Sequence, residues 1–204
     1  MNSTRPAAAV CAALILGACS IGKPIPPATT YIVEPAMPAA GSVPRRADTL
    51  RMGNVRVAAA FAGNALVYRL DDVQYVSDPY NAFIADPGAM LGSRMAESLN
   101  RAGPFKAVVQ PGGMQAAGAA PYVLEATVTE LFGDFRTPPA AVMTVQFTLL
   151  DTAGPRTTIA YERTISRRVA IAQTTPDALV RGYGQALTEI LAALSADLTG
   201  GVAK

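Results

Sequence analysis

Two stretches near the middle of the chain alternate strictly between apolar and polar residues, and this limits the fold more than any other feature. Leu124, Ala126 and Val128 are separated by Glu125, Thr127 and Thr129, and Met143, Val145, Phe147 and Leu149 alternate with Thr144, Gln146 and Thr148. A period of two sends successive side chains to opposite faces of an extended strand, so each stretch reads as a strand with one buried and one polar face. Turn residues, Gly133-Asp134 and Pro138-Pro139, lie between them. A further turn, Asp151 to Pro155, leads into a third long run, Thr157 to Arg168, with Ile159, Tyr161 and Ile165 on one face. The expectation is an antiparallel meander of three strands.

A one-sided meander needs an apolar cover, and two segments have the 3.6-residue spacing to supply it. Asp86-Pro87 places a capping acceptor and a preset φ at a helix start, and Met90, Leu91, Met95 and Leu99 form one stripe ended by Gly103-Pro104. Thr175-Pro176-Asp177 opens a second helix with an acidic residue at its positive end. Leu179, Val180, Tyr183, Leu187, Ile190, Leu191, Leu194 and Leu198 form its stripe, and Gly200-Gly201 ends it. Gly182 and Gly184 each cost about 1 kcal/mol relative to Ala in a helix interior, a cost that close packing on the sheet would account for. Leu50, Met52, Val55 and Val57 suggest an earlier strand, with a Gly63-Asn64 hairpin turn into a second run, Ala65 to Asp72. Ser77 to Tyr80 reads as a loop, and Phe105 to Val109 as a short strand closed by Pro111-Gly112-Gly113. The fold class expected is α+β: one domain over 48–200, an antiparallel-dominated mixed sheet with two helices packed on one face.

Residues 1–18 read as an export signal rather than part of the fold. Arg5 is followed by an uncharged apolar run, Ala7 to Leu16, too short for a membrane span of about 20 residues. It ends Leu16-Gly17-Ala18-Cys19, which resembles the lipobox of bacterial lipoprotein precursors: an aliphatic residue, two small ones, then the acylated cysteine. The resemblance implies cleavage before Cys19 and a covalent diacylglyceryl and N-acyl lipid on it. Multiple acyl chains give stable anchoring where one is marginal. Cys11 is a poorer acceptor because Val10 before it is not small. Ser20 after the cysteine leans toward the outer membrane, facing the periplasm. From 19 to 47 the chain forms the lipidated N-terminus and a linker rich in proline (Pro24, Pro26, Pro27, Pro35, Pro38 and Pro44), a semi-rigid tether. Tyr31-Ile32-Val33 interrupts it as a candidate short strand on the domain edge. Arg45-Arg46 reads as a solvated linker end.

Composition removes most chemistry. The 204 residues contain no histidine, and both cysteines, Cys11 and Cys19, precede the domain. That excludes Ser-His-Asp and Cys-His nucleophiles, His-ligated metals, thiol enzymes and zinc clusters within the domain. A formal net charge of +2 does not fit a nucleic-acid binder. Asp71-Asp72 and Asp78 lack calcium-loop spacing and read as structural or solvated carboxylates, and the glycine pairs lack the strand–helix context of a phosphate loop. No cofactor is expected beyond the lipid on Cys19, and no catalytic or metal-binding residue.

Binding residues are the remaining candidates. Tyr80 and Phe83 sit on the expected loop, where aromatics either meet a partner or pack back on the domain. Phe132 and Phe135 flank the Gly-Asp turn with the same two readings. In Tyr68-Arg69 one side chain should enter the core and the other face solvent. Arg163, Arg167 and Arg168 form a basic group near one strand end that reads as solvated.

Val67-Tyr68-Arg69-Leu70, Tyr75 to Phe83, the Pro87 helix and Phe105-Lys106-Ala107-Val108, with the lipobox and linker, resemble the ABC-type transport auxiliary lipoproteins. The likeness runs over roughly Tyr31 to Leu198. Many members carry a tryptophan in the loop before the proline-led helix; this chain has none, and Phe83 or Tyr80 stands in its place. The resemblance implies a non-enzymatic accessory of a lipid-transport system that binds an MCE-domain protein and, through it, an ABC permease and ATPase. Phospholipid and a second copy of the chain are further candidate partners. The alternative is a lipoprotein of lipopolysaccharide-assembly type, or one that binds lipid independently.

Overall fold

The computed structural model describes residues 27–41, 48–110 and 120–201. The signal sequence, Cys19, Arg45-Arg46 and Pro111-Gly112-Gly113 lie outside the described residues. The strands are β1 (Thr29–Tyr31), β2 (Thr49–Val57), β3 (Ala65–Arg69), β4 (Tyr75–Phe83), β5 (Ala107–Val109), β6 (Tyr122–Asp134), β7 (Ala140–Asp151) and β8 (Thr158–Ala170). Two helices, α1 (Pro87–Ala102) and α2 (Pro176–Gly201), complete the α+β fold, with one 3-10 turn at Ala59–Phe61.

The meander forms as its alternation requires. Strands β6, β7 and β8 pair antiparallel, with Leu124 opposite Leu149, Val128 opposite Val145, and Val145 opposite Ile165. The alternating sets of β6 and β7 therefore line one face, and Leu124, Val128, Val145, Phe147 and Leu149 are fully buried there, whereas in β8 Ile165 is buried but a register shift opposite Leu149/Leu150 leaves Ile159 exposed. This is what a period of two demands when one face of a sheet is covered.

The other edge of β6 differs from the expected hairpin. β2 and β3 do not pair with each other. β2 runs parallel to β6 from Leu50–Tyr122 to Val57–Val128, and β3 then pairs parallel to the same edge further along, Tyr68 with Gly133 and Arg69 with Asp134. Gly63-Asn64 belongs to an excursion that leaves β6 through the 3-10 turn and returns to it. From there the sheet forks, with β5 parallel to β2 on one branch, and β4 then β1 beyond β3 on the other. The two longest pairings, β6–β7 and β7–β8, are antiparallel, while β2 and β3 join β6 in parallel.

The hairpin is instead β3–β4, closed at Leu70–Gln74. Leu70 N–H donates to the Gln74 carbonyl at 2.9 Å, and Asp71 Oδ1 accepts the N–H of Val73 and Gln74 at 2.8 and 2.7 Å. An Asp side chain that takes up backbone donors stabilises such a turn. Asp71-Asp72 thus lies in a turn, not on a strand.

Each helix begins on its own capping residue, and α1 also ends on one. Asp86 accepts the Ala89 N–H at 2.8 Å, and Gly103 N–H donates to Leu99 at 2.7 Å. Thr175 Oγ1 accepts the Ala178 N–H at 3.3 Å at the start of α2. α1 lies on β2 and α2 on β7 and β8. Met95, Leu99, Tyr183, Leu187 and Leu194 meet Leu50, Met52, Met143 and Phe147 in one buried cluster. Gly182 lets α2 approach the sheet: a Cβ there would fall 2.6 Å from Ala141 Cβ.

Tyr31-Ile32-Val33 does reach the sheet edge. β1 pairs parallel to β4, with Thr29 opposite Asn81 and Tyr31 opposite Phe83. The chain then straps across both helices. Val33 is fully buried, Glu34 is ion-paired with Arg94 of α1, and Ala36 N–H donates to Thr188 Oγ1 of α2 at 2.9 Å. Gly184 makes room for this strap, since a Cβ there would lie 2.5 Å from the Glu34 carbonyl oxygen.

Candidate partner-binding site

The Ser77–Tyr80 segment expected as a loop is part of β4, but it bulges. Val67 pairs with Ser77 and Ala65 with Ala82, so Asp78 to Asn81 stand opposite Leu66 alone. Asp78 closes the bulge from inside: its Oδ1 accepts the N–H of Tyr80 at 2.8 Å and of Asn81 at 3.0 Å. Its Oδ2 accepts Tyr68 Oη at 2.6 Å and Asn81 Nδ2 at 2.8 Å. Partial burial pushes the Asp78 carboxyl up, yet these four donors outweigh it and leave the group below the ordinary carboxylate value. The Tyr68 phenol is raised, by burial first and by the Asp78 carboxylate second. Asp78 is therefore a structural carboxylate.

This geometry separates the two β4 candidates. Tyr80, at the bulge, is 40% exposed, whereas Phe83 is 3% exposed and packs on Tyr183 with ring centroids 6.2 Å apart. Phe135 follows β6 and stacks on Tyr68 at 4.5 Å. Of the pair Tyr68 and Arg69, the tyrosine enters the core and the arginine takes the open face. Cys19 lies outside the described residues.

Beside Phe135 sits the strongest electrostatic feature of the domain. Asp134 is 1% exposed and receives Arg136 Nε and Nη2, both at 2.8 Å, and Arg168 Nη1 at 2.6 Å. Hydrogen bonds from Arg136 dominate and, with those from Arg168, hold the carboxyl far below its ordinary value despite its burial. Arg136 also reaches Asp72 in the β3–β4 turn. Arg163, Arg167 and Arg168 thus form no solvated cluster: they pair with Asp197, Glu189 and Asp134 respectively, on two faces of the sheet.

The open face, opposite the helices, carries an aromatic group the sequence reading did not assemble. Phe61 stacks on Phe132 at 5.8 Å, Tyr75 meets Phe132 edge-on at 5.3 Å, and Arg69 lies over the Tyr75 ring at 5.6 Å. Leu70 and Val73 of the adjoining turn are exposed. The signal was present in the phase of β6, where Phe132 falls between the inward Leu131 and Gly133. Tyr75 is obscured in the sequence because the Ser77–Tyr80 stretch that continues its strand has loop composition.

Among the described residues no group of side chains could hold a metal ion, and no helix is long and apolar enough to cross a membrane. A solvent-open groove of about 390 Å³ runs between α1, α2 and the strap, lined by small and apolar residues including Met37, Leu99, Ala102 and Leu191. These features are surfaces for contact, with aromatic and arginine side chains of the kind that anchor protein interfaces.

No curated protein matches the sequence. Among solved structures, protein XCC0632 from Xanthomonas campestris shares the fold at a TM-score of 0.71 and 17% identity, covering 83% of this chain and 95% of that one. The hypothetical protein CT253 from Chlamydia trachomatis superposes at 0.52 with 12% identity, over 78% of this chain and 99% of its own. The sequence model of the ABC-type transport auxiliary lipoprotein component matches residues 31–195, from the strap through most of α2. The chain belongs to the family of ABC-type transport auxiliary lipoprotein components.

Proposed function

We propose that this lipoprotein is the accessory of an ABC-type envelope lipid-transport system with an MCE-domain substrate-binding protein, and that it acts by binding protein without catalysis. The acylated Cys19 holds it at a membrane, and Ser20 after that residue favours the outer one. The observation that carries the reading is the family match, which includes the strap as well as the sheet and helices. A domain whose helix–sheet interface is filled by its own side chains, such as Leu124, Met143, Phe147 and Leu187, suits a docking part better than a lipid shuttle. Exposed Tyr80 and Tyr75 supply contact groups of the right type.

The test is a crosslinked, detergent-solubilised pull-down of the tagged lipoprotein from its native envelope, with Cys19→Ala as control. Recovery of an MCE protein and its permease, lost in the control, is the expected result. Recovery of lipopolysaccharide-assembly components, or of lipid without a protein partner, overturns the reading.

A further inference from the structure

The groove between the last turns of α1, the C-terminal half of α2 and the strap is lined without charge. Its walls include Met37, Pro38, Leu99, Ala102, Leu191 and Ala192 and, among the described residues, no charged side chain, around a volume of about 390 Å³. The uncharged surface continues past the rim. Ala192, Ala196 and Thr199 of α2 are exposed. From Ile190 to Gly201 the one charged residue, Asp197, turns away to Tyr161 and Arg163 of β8. The strap from Pro35 to Gly41 has no charge either. The solvent face of a surface helix ordinarily carries charged and polar residues, so folding alone does not call for this composition.

The hydroxyls on the walls narrow what fits. Thr188 Oγ1 donates to the Gly184 carbonyl at 2.8 Å and accepts the Ala36 N–H, and Ser195 Oγ donates to the Ala102 carbonyl at 3.3 Å. Ser98 differs. It is 6% exposed and lines the groove, and its hydroxyl has no hydrogen-bond partner among the described residues. A buried hydroxyl without a partner is costly, and an occupant that brings one acceptor removes that cost. The groove thus offers an apolar channel and a single free donor.

We propose that the groove seats one acyl chain of a membrane phospholipid, with the ester carbonyl of that chain accepting from Ser98. Methylene groups need no polar partner and the ester supplies one acceptor, which matches the walls. An extended peptide fits worse, because its backbone brings several N–H and C=O groups that these walls cannot satisfy. The volume lies near the small end for ligand sites, so the second chain and the headgroup stay outside. Ten residues separate Cys19 from Thr29, a reach of at most about 35 Å, and the strap wall of the groove starts seven residues further on, at Ala36. The domain is thus held where the groove can meet the bilayer of its own anchor, in which phospholipid is the hydrocarbon in excess. The proposal rests on the reading above for that anchor, and adds a lipid contact on the surface of the accessory itself that does not enclose the lipid.

The test uses the full lipidated chain in vesicles of phosphatidylethanolamine and phosphatidylglycerol, doped with a phosphatidylethanolamine that carries a diazirine in the middle of one acyl chain. After irradiation the crosslinked peptides are mapped by mass spectrometry. Crosslinks should concentrate on Met37 and on Leu191 to Ala196. Ala192→Asp, at an exposed position of α2, places a charge in the groove and should reduce them by about fivefold or more, at an unchanged melting temperature. If that variant does not fold, the map of the parent still decides. Crosslinks absent from the groove, or confined to other exposed apolar residues such as Ile32 and Ile84, overturn the proposal. So does an Ala192→Asp map equal to that of the parent. A groove labelled in Cys19→Ala but not in the parent would overturn it as well, because the chain's own lipid would then fill the site. No partner protein is present, so this result and the pull-down succeed or fail independently.

Discussion

Arg168 of β8 reaches over β7 to donate a 2.6 Å hydrogen bond to Asp134 of β6, so one buried carboxylate ties the two outer strands of the meander together. Arg136, which binds the same carboxylate through two nitrogens, extends the tie to Asp72 of the β3–β4 turn. Removing one partner of a buried ion pair leaves the others uncompensated. Here the two arginines are 34% and 46% exposed and can be hydrated, which lowers the penalty. Asp134→Asn should therefore cost about 2–3 kcal/mol, measured as a shift in the urea midpoint at neutral pH.

The same residue sets part of the acid limb. Asp134 titrates lower in the folded protein than in the unfolded chain, so its stabilisation is fully present above the ordinary carboxylate value of about 4. It fades as pH falls from there through the depressed folded value. Melting temperature should drop on acidification below about pH 4 in the parent protein, and drop less in Asp134→Asn. Parallel acid limbs for the two proteins would show that Asp134 does not carry this dependence.

Gly184 and the Glu34 carbonyl approach so closely that any side chain at 184 must displace the strap. Ala would gain about 1 kcal/mol of helix propensity but lose about 1–3 kcal/mol to overpacking against backbone. Gly184→Ala should leave global stability little changed or modestly lower, while amide exchange of Tyr31 to Ala36 speeds markedly. Exchange rates in that segment equal to those of the parent would mean that α2 shifts instead of the strap.

Tyr183 is fully buried, and among the described residues its hydroxyl has no hydrogen-bond partner. Burial first, and the neighbouring Tyr68 second, push its phenol well above the usual value. An unsatisfied buried hydroxyl costs about 1–3 kcal/mol, so Tyr183→Phe should be neutral or stabilising by about 1 kcal/mol. A loss of stability in chemical denaturation would reveal a partner for that hydroxyl, such as a buried water.

Periodicity made the meander and both helices legible, because each buried face repeats at its own spacing within a dozen residues: Leu124 to Val128, Met143 to Leu149, Leu179 to Leu198. It could not show which edge each early strand joins. Leu50 lies seventy-two residues from Tyr122, its partner on β6, and nothing local encodes that pairing. Gly63-Asn64 has hairpin composition, but the aromatic Phe61 nearby packs on Phe132 and draws the chain back to β6. Asp78-Pro79 has loop composition for a real reason, since four residues there bulge from the ladder. The strand resumes only because Asp78 satisfies the displaced backbone donors itself. The arginines of β8 read as solvated because their partners Asp134, Glu189 and Asp197 come from other elements.

Tyr80 and Phe83, three residues apart on one strand, separate recognition from folding. Phe83 contributes to the core beside Tyr183, and Phe83→Ala should cost about 3–5 kcal/mol through the cavity left behind. Any loss of partner binding in that variant would report unfolding. Tyr80 stands on a bulge whose turn is held by Asp78, not by the tyrosine ring. Tyr80→Ala should therefore change the urea midpoint by no more than about 0.5 kcal/mol equivalent, leaving a folded protein without that aromatic. If the bulge is where the envelope partner docks, the pull-down with Tyr80→Ala should recover at least several-fold less of it, at unchanged expression and melting temperature. Full recovery would shift attention to the open face beside the β3–β4 turn, where Tyr75 and Val73 are exposed beside Arg69, and Val73→Ser would be the equivalent substitution there. Loss in one variant and retention in the other identifies the docking face without disturbing the core.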